Sequence, residues 1–384
     1  MKKKIICLLL VLTSIITLVS GAKIKLYAQN INYDAKSYFL MDYDSKTVLA
    51  KSNENERLEI ASMVKLMTSL ITIEKIQSGE LSLDQKVMAS EYASSMEGSQ
   101  AFLDAGEEYT IEDLLKSVII ASANDSSVVL AECISGTEEN FVNLMNEKAK
   151  ELGLKNTHYA NSTGLPSENE QYSCAEDVAK LLCEEIKHEL YFKYSNIWID
   201  ELIHPSGRKT ELVNTNILIR QYKGVDIGKT GFTDEAGYCL SASCKKNNMR
   251  LVSVVIGTNS AKDRFSITSN LLNFGFSNFE NRKVVNGGDI VDALNVNSKL
   301  KELELEFEKD FSLICKKGEK CEVNLKFETN NKIKAPISKG DVLGKAYIIK
   351  DGVVIGEVNL VAKNSISKPN FKDSFKKVLD NYSI

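Results

Sequence analysis

The chain has 384 residues, 43% of them hydrophobic, and a formal net charge of −4. That length and apolar content support two or three domains with a large core. The balance of 48 basic against 52 acidic residues, with no run of lysines or arginines interleaved with aromatics beyond the N-terminus, speaks against nucleic-acid binding.

Lys2, Lys3 and Lys4 precede an apolar run from Ile5 to Val19, the layout of a secretory signal peptide and short for a membrane span. Small residues at Ser20 and Ala22 suit cleavage after Ala22, and cleavage after Ala28 fits as well. Residues 1–28 are therefore expected to be a leader and the protein to be exported. Beyond Cys7, the cysteines are Cys133, Cys174, Cys183, Cys239, Cys244, Cys315 and Cys321, without metal-ligand spacing. Most lie in apolar segments and read as small core residues. Cys315 and Cys321 flank the hairpin-like Lys316-Lys317-Gly318-Glu319-Lys320, where a disulfide is one option and two free thiols the other.

Ser37 to Met41 and Lys46 to Ala50 flank Asp42-Tyr43-Asp44-Ser45, a strand, turn, strand pattern. From Ile60 to Leu70 the only charge is Lys65, and apolar residues fall on every side of the helical wheel. The segment reads as a buried helix reaching about Gly79. Ser62 stands three residues before Lys65, on the same helical face. Burial disfavours the ammonium, so a neutral amine can take the serine proton near neutrality and make Ser62 a nucleophile. The spacing alone is weak, because Ser-x-x-Lys recurs at Ser20, Ser206, Ser243, Ser298, Ser365 and Ser374. The competing reading is a core helix whose lysine snorkels to solvent.

Thr110 opens another helix, with Asp113 placed for a capping-box contact and Ile111, Leu114, Leu115, Val118 and Ile119 as its apolar stripe. It breaks at Ala121-Ser122-Ala123-Asn124. A new helical segment starts at Asp125, and a further one runs from Glu138 to Gly153, so a helical subdomain follows the first strands. After the loop at Gly164-Leu165-Pro166, the region from Cys174 to Leu190 is helical again. Gly224 to Gly231 leads into two antiparallel strands, Tyr238 to Ser243 and Leu251 to Ile256, and a helix from Lys262 to about Phe274 closes the domain. Early strands, helical insertion and late strands predict an α/β domain whose first and last strands are neighbours, covered by helices.

From Arg282 the pattern changes to period two, with Leu303, Leu305 and Phe307 alternating with glutamates and Val323, Leu325 and Phe327 repeating the rhythm. Residues 282–367 are expected to form a small all-β domain. In the tail, 368–384, Phe371, Phe375, Val378, Leu379 and Tyr382 share a helical face beside Lys372, Lys376 and Lys377. Two readings stand there: an amphipathic helix lying in a membrane interface, or one docked on the β domain.

Three motifs carry chemistry together. Ser122-Ala123-Asn124 sits in a helix break, where a hydroxyl can enter a cleft. Lys229-Thr230-Gly231 lies on a strand, with Gly231 leaving room for a ligand near the backbone. Either alone is common, and Ser167-Glu168-Asn169 also matches Ser-x-Asn. Their order with Ser62-Met63-Val64-Lys65 is far more specific. Histidines are only three, His158, His188 and His204, and a Ser-Lys mechanism needs none.

With these motifs the chain resembles the penicillin-recognising serine acyl-transfer family, and within it the low-molecular-mass D-alanyl-D-alanine carboxypeptidases of spore-forming Gram-positive bacteria. The similarity extends to Gly98-Ser99-Gln100, Asn161-Ser162-Thr163-Gly164-Leu165-Pro166, Asn214-Thr215-Asn216, Gly237-Tyr238-Cys239-Leu240 and Lys262-Asp263-Arg264. The resemblance implies a penicillin-binding, β-lactamase-like catalytic domain over residues 29–281. It implies a peptidoglycan stem peptide ending in D-Ala-D-Ala as substrate and β-lactams as covalent inhibitors.

In that frame Ser62 would attack the carbonyl of the penultimate D-alanine, with Lys65 as general base and Ser122 relaying a proton to the leaving D-alanine. Asn124 would orient Lys65 and bond the substrate amide, and Lys229 would supply fixed positive charge. Thr230 and Arg264 would hold the terminal carboxylate beside Gly231. The backbone N–H groups of Ser62 and Phe232 would form the oxyanion hole. No metal or cofactor is required. Two departures stand out: Ile227-Gly228 reverses the order many relatives show, which is expected to loosen that strand, and Phe232 stands where histidine is frequent. The rival readings are a β-lactamase, with Glu168 or Glu170 as the water-activating carboxylate, and a non-enzymatic peptidoglycan scaffold. The intact Ser62, Lys65, Ser122 and Lys229 argue against the second.

Overall fold

The structure, a computed structural model, describes residues 33–291, 303–329 and 333–367. The expected leader and the basic tail lie outside them. The chain divides into two compact units, and the junction falls between Asn278 and Phe279.

In the first unit β1 (Ser37–Asp42) and β2 (Val48–Ser52) form the hairpin, and a 3₁₀ turn (Ala61–Val64) leads into α1 (Lys65–Gln77). Next come β3 (Lys86–Met88), α2 (Glu91–Ser94), β4 (Glu108–Thr110), α3 (Ile111–Ile120), α4 (Asn124–Ser135), α5 (Glu138–Glu151), α6 (Ala175–Glu185) and α7 (Glu189–Ser195). The hairpin β5 (Ile199–Ile203) and β6 (Lys209–Val213) precedes α8 (Leu218–Gln221), then β7 (Val225–Thr233), β8 (Gly237–Lys246), β9 (Met249–Thr258) and α9 (Ala261–Asn278).

The main sheet is antiparallel in the order β2-β1-β9-β8-β7, with Leu40 of β1 opposite Ser253 of β9. First and last strands are thus neighbours, and β7, which carries Lys229-Thr230-Gly231, is left at the edge with one side of its backbone unpaired within the sheet. Helix α1 is buried on all sides as far as Ile73: Leu66, Met67, Leu70 and Ile73 are each 0% exposed, packed against α3, α4 and α6. Helix α3 starts where the capping pattern places it. The Thr110 hydroxyl accepts the Asp113 N–H at 3.1 Å and donates to its carboxylate at 2.6 Å.

Three boundaries differ from the periodicity reading. Ser62 lies in the 3₁₀ turn, ahead of the α-helix, because Ala61 takes φ +47° and Met63 N–H closes a tight turn on Ile60 O. The expected helix from Cys174 to Leu190 splits in two, α7 beginning after His188. Strand β10 (Phe279–Val285) opens the second unit and runs through residue 282, so the β unit begins earlier than its alternating pattern.

That unit continues with β11 (Leu305–Phe307), β12 (Phe311–Lys316), β13 (Asn324–Thr329), β14 (Val342–Lys350) and β15 (Val353–Ala362). Four strands pair in the order β11-β15-β14-β13, and β10 pairs with β12. The inward residues Leu305, Phe307, Ala346, Ile348, Val358 and Leu360 form its core, the face predicted by period two. Cys315 and Cys321 are joined in a disulfide, with Cα atoms 6.2 Å apart.

Candidate active site

Ser62 is half-buried and Lys65 fully buried, and the amine Nζ lies 3.0 Å from Ser62 Oγ. In a 3₁₀ turn residues i and i+3 eclipse one another, so the turn aligns this pair more directly than an α-helix would. The amine also donates to the backbone carbonyl of Thr163 at 2.5 Å. Burial pushes the Lys65 pKa well below its usual value, the charge of Lys229 pushes the same way, and the Asp125 carboxylate opposes them. The balance favours a neutral amine, able to accept the Ser62 proton.

Ser122 occupies the break between α3 and α4 at φ +63°, left-handed backbone that costs a non-glycine residue of order 1–3 kcal/mol and tends to be held at working sites. It is 3% exposed, and its Oγ accepts from Lys229 Nζ at 2.7 Å. Lys229, itself buried, also donates to Thr230 O at 3.1 Å. Burial, followed by the nearby Arg264 charge, lowers the Lys229 pKa to about 7. Its positive charge is therefore not fixed near neutrality, as the motif reading had it.

Asn124 is the first residue of α4, directly after this break. Its N–H donates to Ser99 O at 2.7 Å and its Nδ2 to Glu97 O at 2.6 Å, which ties the 97–100 loop to the start of α4. Its Oδ1 is buried without a partner, so the contact that orients Lys65 comes from Thr163 and not from Asn124.

On the edge strand, Gly231 packs against the Ser62 turn: a Cβ there would stand 2.5 Å from Ile60 O and 3.2 Å from Ser62 N. The Thr230 hydroxyl donates to Thr215 Oγ1 at 2.7 Å. Arg264, near the start of α9, donates from Nη1 to Gly231 O at 3.0 Å, and its Nε is buried without a partner. Phe232 is 47% exposed and stacks on Tyr238 at 4.2 Å between centroids. From Ile227 to Thr233 β7 stays in continuous register with β8, and the one register shift falls between Val225 and Ile227, directly before the Ile227-Gly228 pair. Gly228 is where the Asn216 side chain fits, since a Cβ would meet its Nδ2 at 2.6 Å.

Sequence reasoning passed over three contributors. Thr163 acts through a backbone carbonyl, presented by a loop in which Asn161 Oδ1 accepts the N–H groups of Thr163 and Gly164 at 3.1 and 2.7 Å. The Ser162 carbonyl of this loop accepts the hydroxyls of Thr68 and Ser127, both at 2.8 Å. Asp125, 1% exposed, accepts the N–H groups of Ala101 and Leu103 at 3.0 and 3.1 Å and so anchors the loop that Asn124 meets. The Asn-Ser-Thr-Gly run was the visible signal for the first and Asn214-Thr215-Asn216 for Thr215, while nothing marked Asp125.

A family model described as D-alanyl-D-alanine carboxypeptidase matches residues 24–260, and one described as penicillin-binding protein 5, C-terminal domain, matches 279–368. The chain is 43% identical over 353 residues to the D-alanyl-D-alanine carboxypeptidase DacF of Bacillus subtilis (strain 168), covering 91% of this chain and 90% of the relative. Penicillin-binding protein 5 from Haemophilus influenzae superposes with a TM-score of 0.75 at 33% identity, covering 89% of this chain and 100% of that one. Penicillin-binding protein D2 from Listeria monocytogenes, in its ampicillin-bound form, gives a TM-score of 0.56 at 28% identity over 65% of this chain and 99% of that one. With its two units matched in order and its Ser-Lys pair assembled on a penicillin-binding, β-lactamase-like fold, the chain belongs to the D-alanyl-D-alanine carboxypeptidase family of cell-wall peptidases.

Proposed function

We propose that the protein is exported and removes the terminal D-alanine from peptidoglycan stem pentapeptides through an acyl-enzyme on Ser62, the hydroxyl that penicillin also acylates. The observation that carries this reading is the buried Lys65 amine, 3.0 Å from Ser62 Oγ and held by Thr163 O.

The neutral amine takes the Ser62 proton as Oγ bonds to the carbonyl carbon of the penultimate D-alanine. The Ser62 and Phe232 N–H groups receive the developing oxyanion, each such donor contributing roughly 3 to 4 kcal/mol. Ser122 passes its proton to the departing nitrogen and takes in its place the proton held by Lys65, the C–N bond breaks and D-alanine leaves. Lys65, neutral again, then takes a proton from the water that hydrolyses the ester. The unpartnered Asn124 Oδ1 suits a substrate amide N–H. Thr230, Arg264 and charged Lys229 suit the terminal carboxylate.

A β-lactamase would need a carboxylate beside the ester to activate water. Glu168 and Glu170, the candidates for it, are exposed, so no observation favours that reading. The ampicillin-bound Listeria relative supports β-lactams as ligands of this fold. Export is supported by the leader layout and by the Cys315–Cys321 disulfide, since such bonds persist in oxidising compartments. Among the described residues no helix is long and apolar enough to cross a membrane. The basic tail is read as a peripheral contact with the membrane surface.

Mass spectrometry of a pentapeptide digest tests the activity. Release of one D-alanine by wild type and none by Ser62→Ala is the expected result, with labelled penicillin found on Ser62. Equal release by both proteins, or properly folded protein left unlabelled, would end the acyl-enzyme reading.

A further inference from the structure

The segment Asn214-Thr215-Asn216, between β6 and α8, is held firmly beside the cleft. Asn214 Nδ2 donates to Ser195 O and Ile197 O, both at 2.9 Å, and its N–H to Trp198 O at 2.8 Å. Asn214 Oδ1 accepts the Asn216 N–H at 2.9 Å, and Asn216 Oδ1 accepts the Leu218 N–H at 3.2 Å. Both asparagines are buried while Thr215 between them is half-buried. Its N–H donates to Ile120 O at 3.2 Å, just ahead of Ser122. Its Oγ1 accepts the Thr230 hydroxyl at 2.7 Å.

We infer that Thr215 is a positioning residue for the substrate's terminal carboxylate, acting through Thr230. This rests on the reading of Thr230 and Arg264 as the groups that hold that carboxylate. A threonine hydroxyl has one hydrogen and two lone pairs. In the free protein the Thr230 hydrogen points to Thr215. When a carboxylate arrives, Thr230 turns its hydrogen to the carboxylate oxygen, and Thr215 turns its own onto the Thr230 oxygen. Each hydroxyl then donates once, and the Thr230 donor is polarised by the one behind it. Arg264 supplies charge, with its Nη1 on Gly231 O and its Nε buried and unpartnered. The hydroxyl pair supplies direction, favouring a peptide that ends in a free acid over one that ends in an amide.

The test compares wild type, Thr215→Val and Thr215→Ser on a D-Ala-D-Ala pentapeptide and on the same peptide with a C-terminal amide. Wild type should prefer the acid. Thr215→Val should raise KM for the acid several-fold, up to roughly tenfold, the size of one hydrogen bond between neutral groups, with kcat within about twofold. Its turnover of the amide should barely change, which also reports a folded site, and Thr215→Ser should restore the acid KM. An unchanged acid KM in Thr215→Val, or an equal loss on acid and amide, overturns the inference. If wild type itself does not distinguish acid from amide, the carboxylate reading of Thr230 and Arg264 fails, and the role of Thr215 falls with it.

Discussion

Two lysine amines share the cleft, and burial lowers the pKa of both. The proposed chemistry asks opposite things of them: Lys65 must be neutral to accept a proton, while Lys229 must be charged to attract a carboxylate. In the free enzyme kcat/KM is therefore expected to be bell-shaped. It rises as Lys65 deprotonates and falls near pH 7 as Lys229 does, since that pKa lies at about 7. Lys229→Arg, charged across the whole range, should lose the alkaline limb and keep the acid one, at a lower rate because the Ser122 contact is recast. A descending limb that stays in place in this variant would assign it to another group. The same shift enters stability with a definite sign. Between the folded value of about 7 and the ordinary 10.5, the unfolded chain binds more protons, so the contribution of Lys229 makes stability rise with pH across that window. Below pH 7 its burial cost is present in full.

At the level of elements, the site depends on two pieces of backbone pressed against the Ser62 turn. Gly164 has φ +81°, and a Cβ there would stand 2.0 Å from Ala61 O. Gly164→Ala is expected to cost more than ~2 kcal/mol and to abolish penicillin labelling. Gly79→Ala is the control: its φ is +80° but nothing lies within 4 Å of the added carbon, so it should cost ~1 kcal/mol and leave labelling intact. Thermal melts and labelled penicillin read both, and equal behaviour of the two variants would remove the role given to this contact. These contacts also explain what could be read in advance. The apolar pattern from Ile60 to Leu70 located α1, and the Thr110–Asp113 cap located the start of α3, because both signals are local. The 3₁₀ turn at Ser62 was not legible, since the backbone packed against it, at Gly164 and Gly231, lies far along the chain. Thr163 escaped notice because its contribution is a carbonyl, which every residue has. Lys229 read as a permanent charge because only packing shows it to be fully buried.

For the whole molecule, the core of the catalytic unit runs from Phe39 to Ile256, and that of the β unit from Val285 to Ala362. The five-stranded sheet lies in the first unit and the four-stranded sheet in the second. Burial of apolar surface is the main stabilising term in folding, so a unit with a complete core is expected to fold alone. Chains spanning 29–278 and 29–367 should therefore take labelled penicillin on Ser62 as full-length protein does, and failure of the shorter chain to fold would show that the catalytic unit needs its C-terminal partner. A chain spanning 29–384, set beside 29–367, tests the tail, whose apolar stripe beside Lys372, Lys376 and Lys377 suits an anionic bilayer surface. Only the chain that keeps the tail should sediment with anionic vesicles, and less so as salt rises, because the lysine contribution is screened. Sedimentation of the chain ending at Ser367 to the same extent would remove the membrane role from the tail while leaving the chemistry at Ser62 untouched.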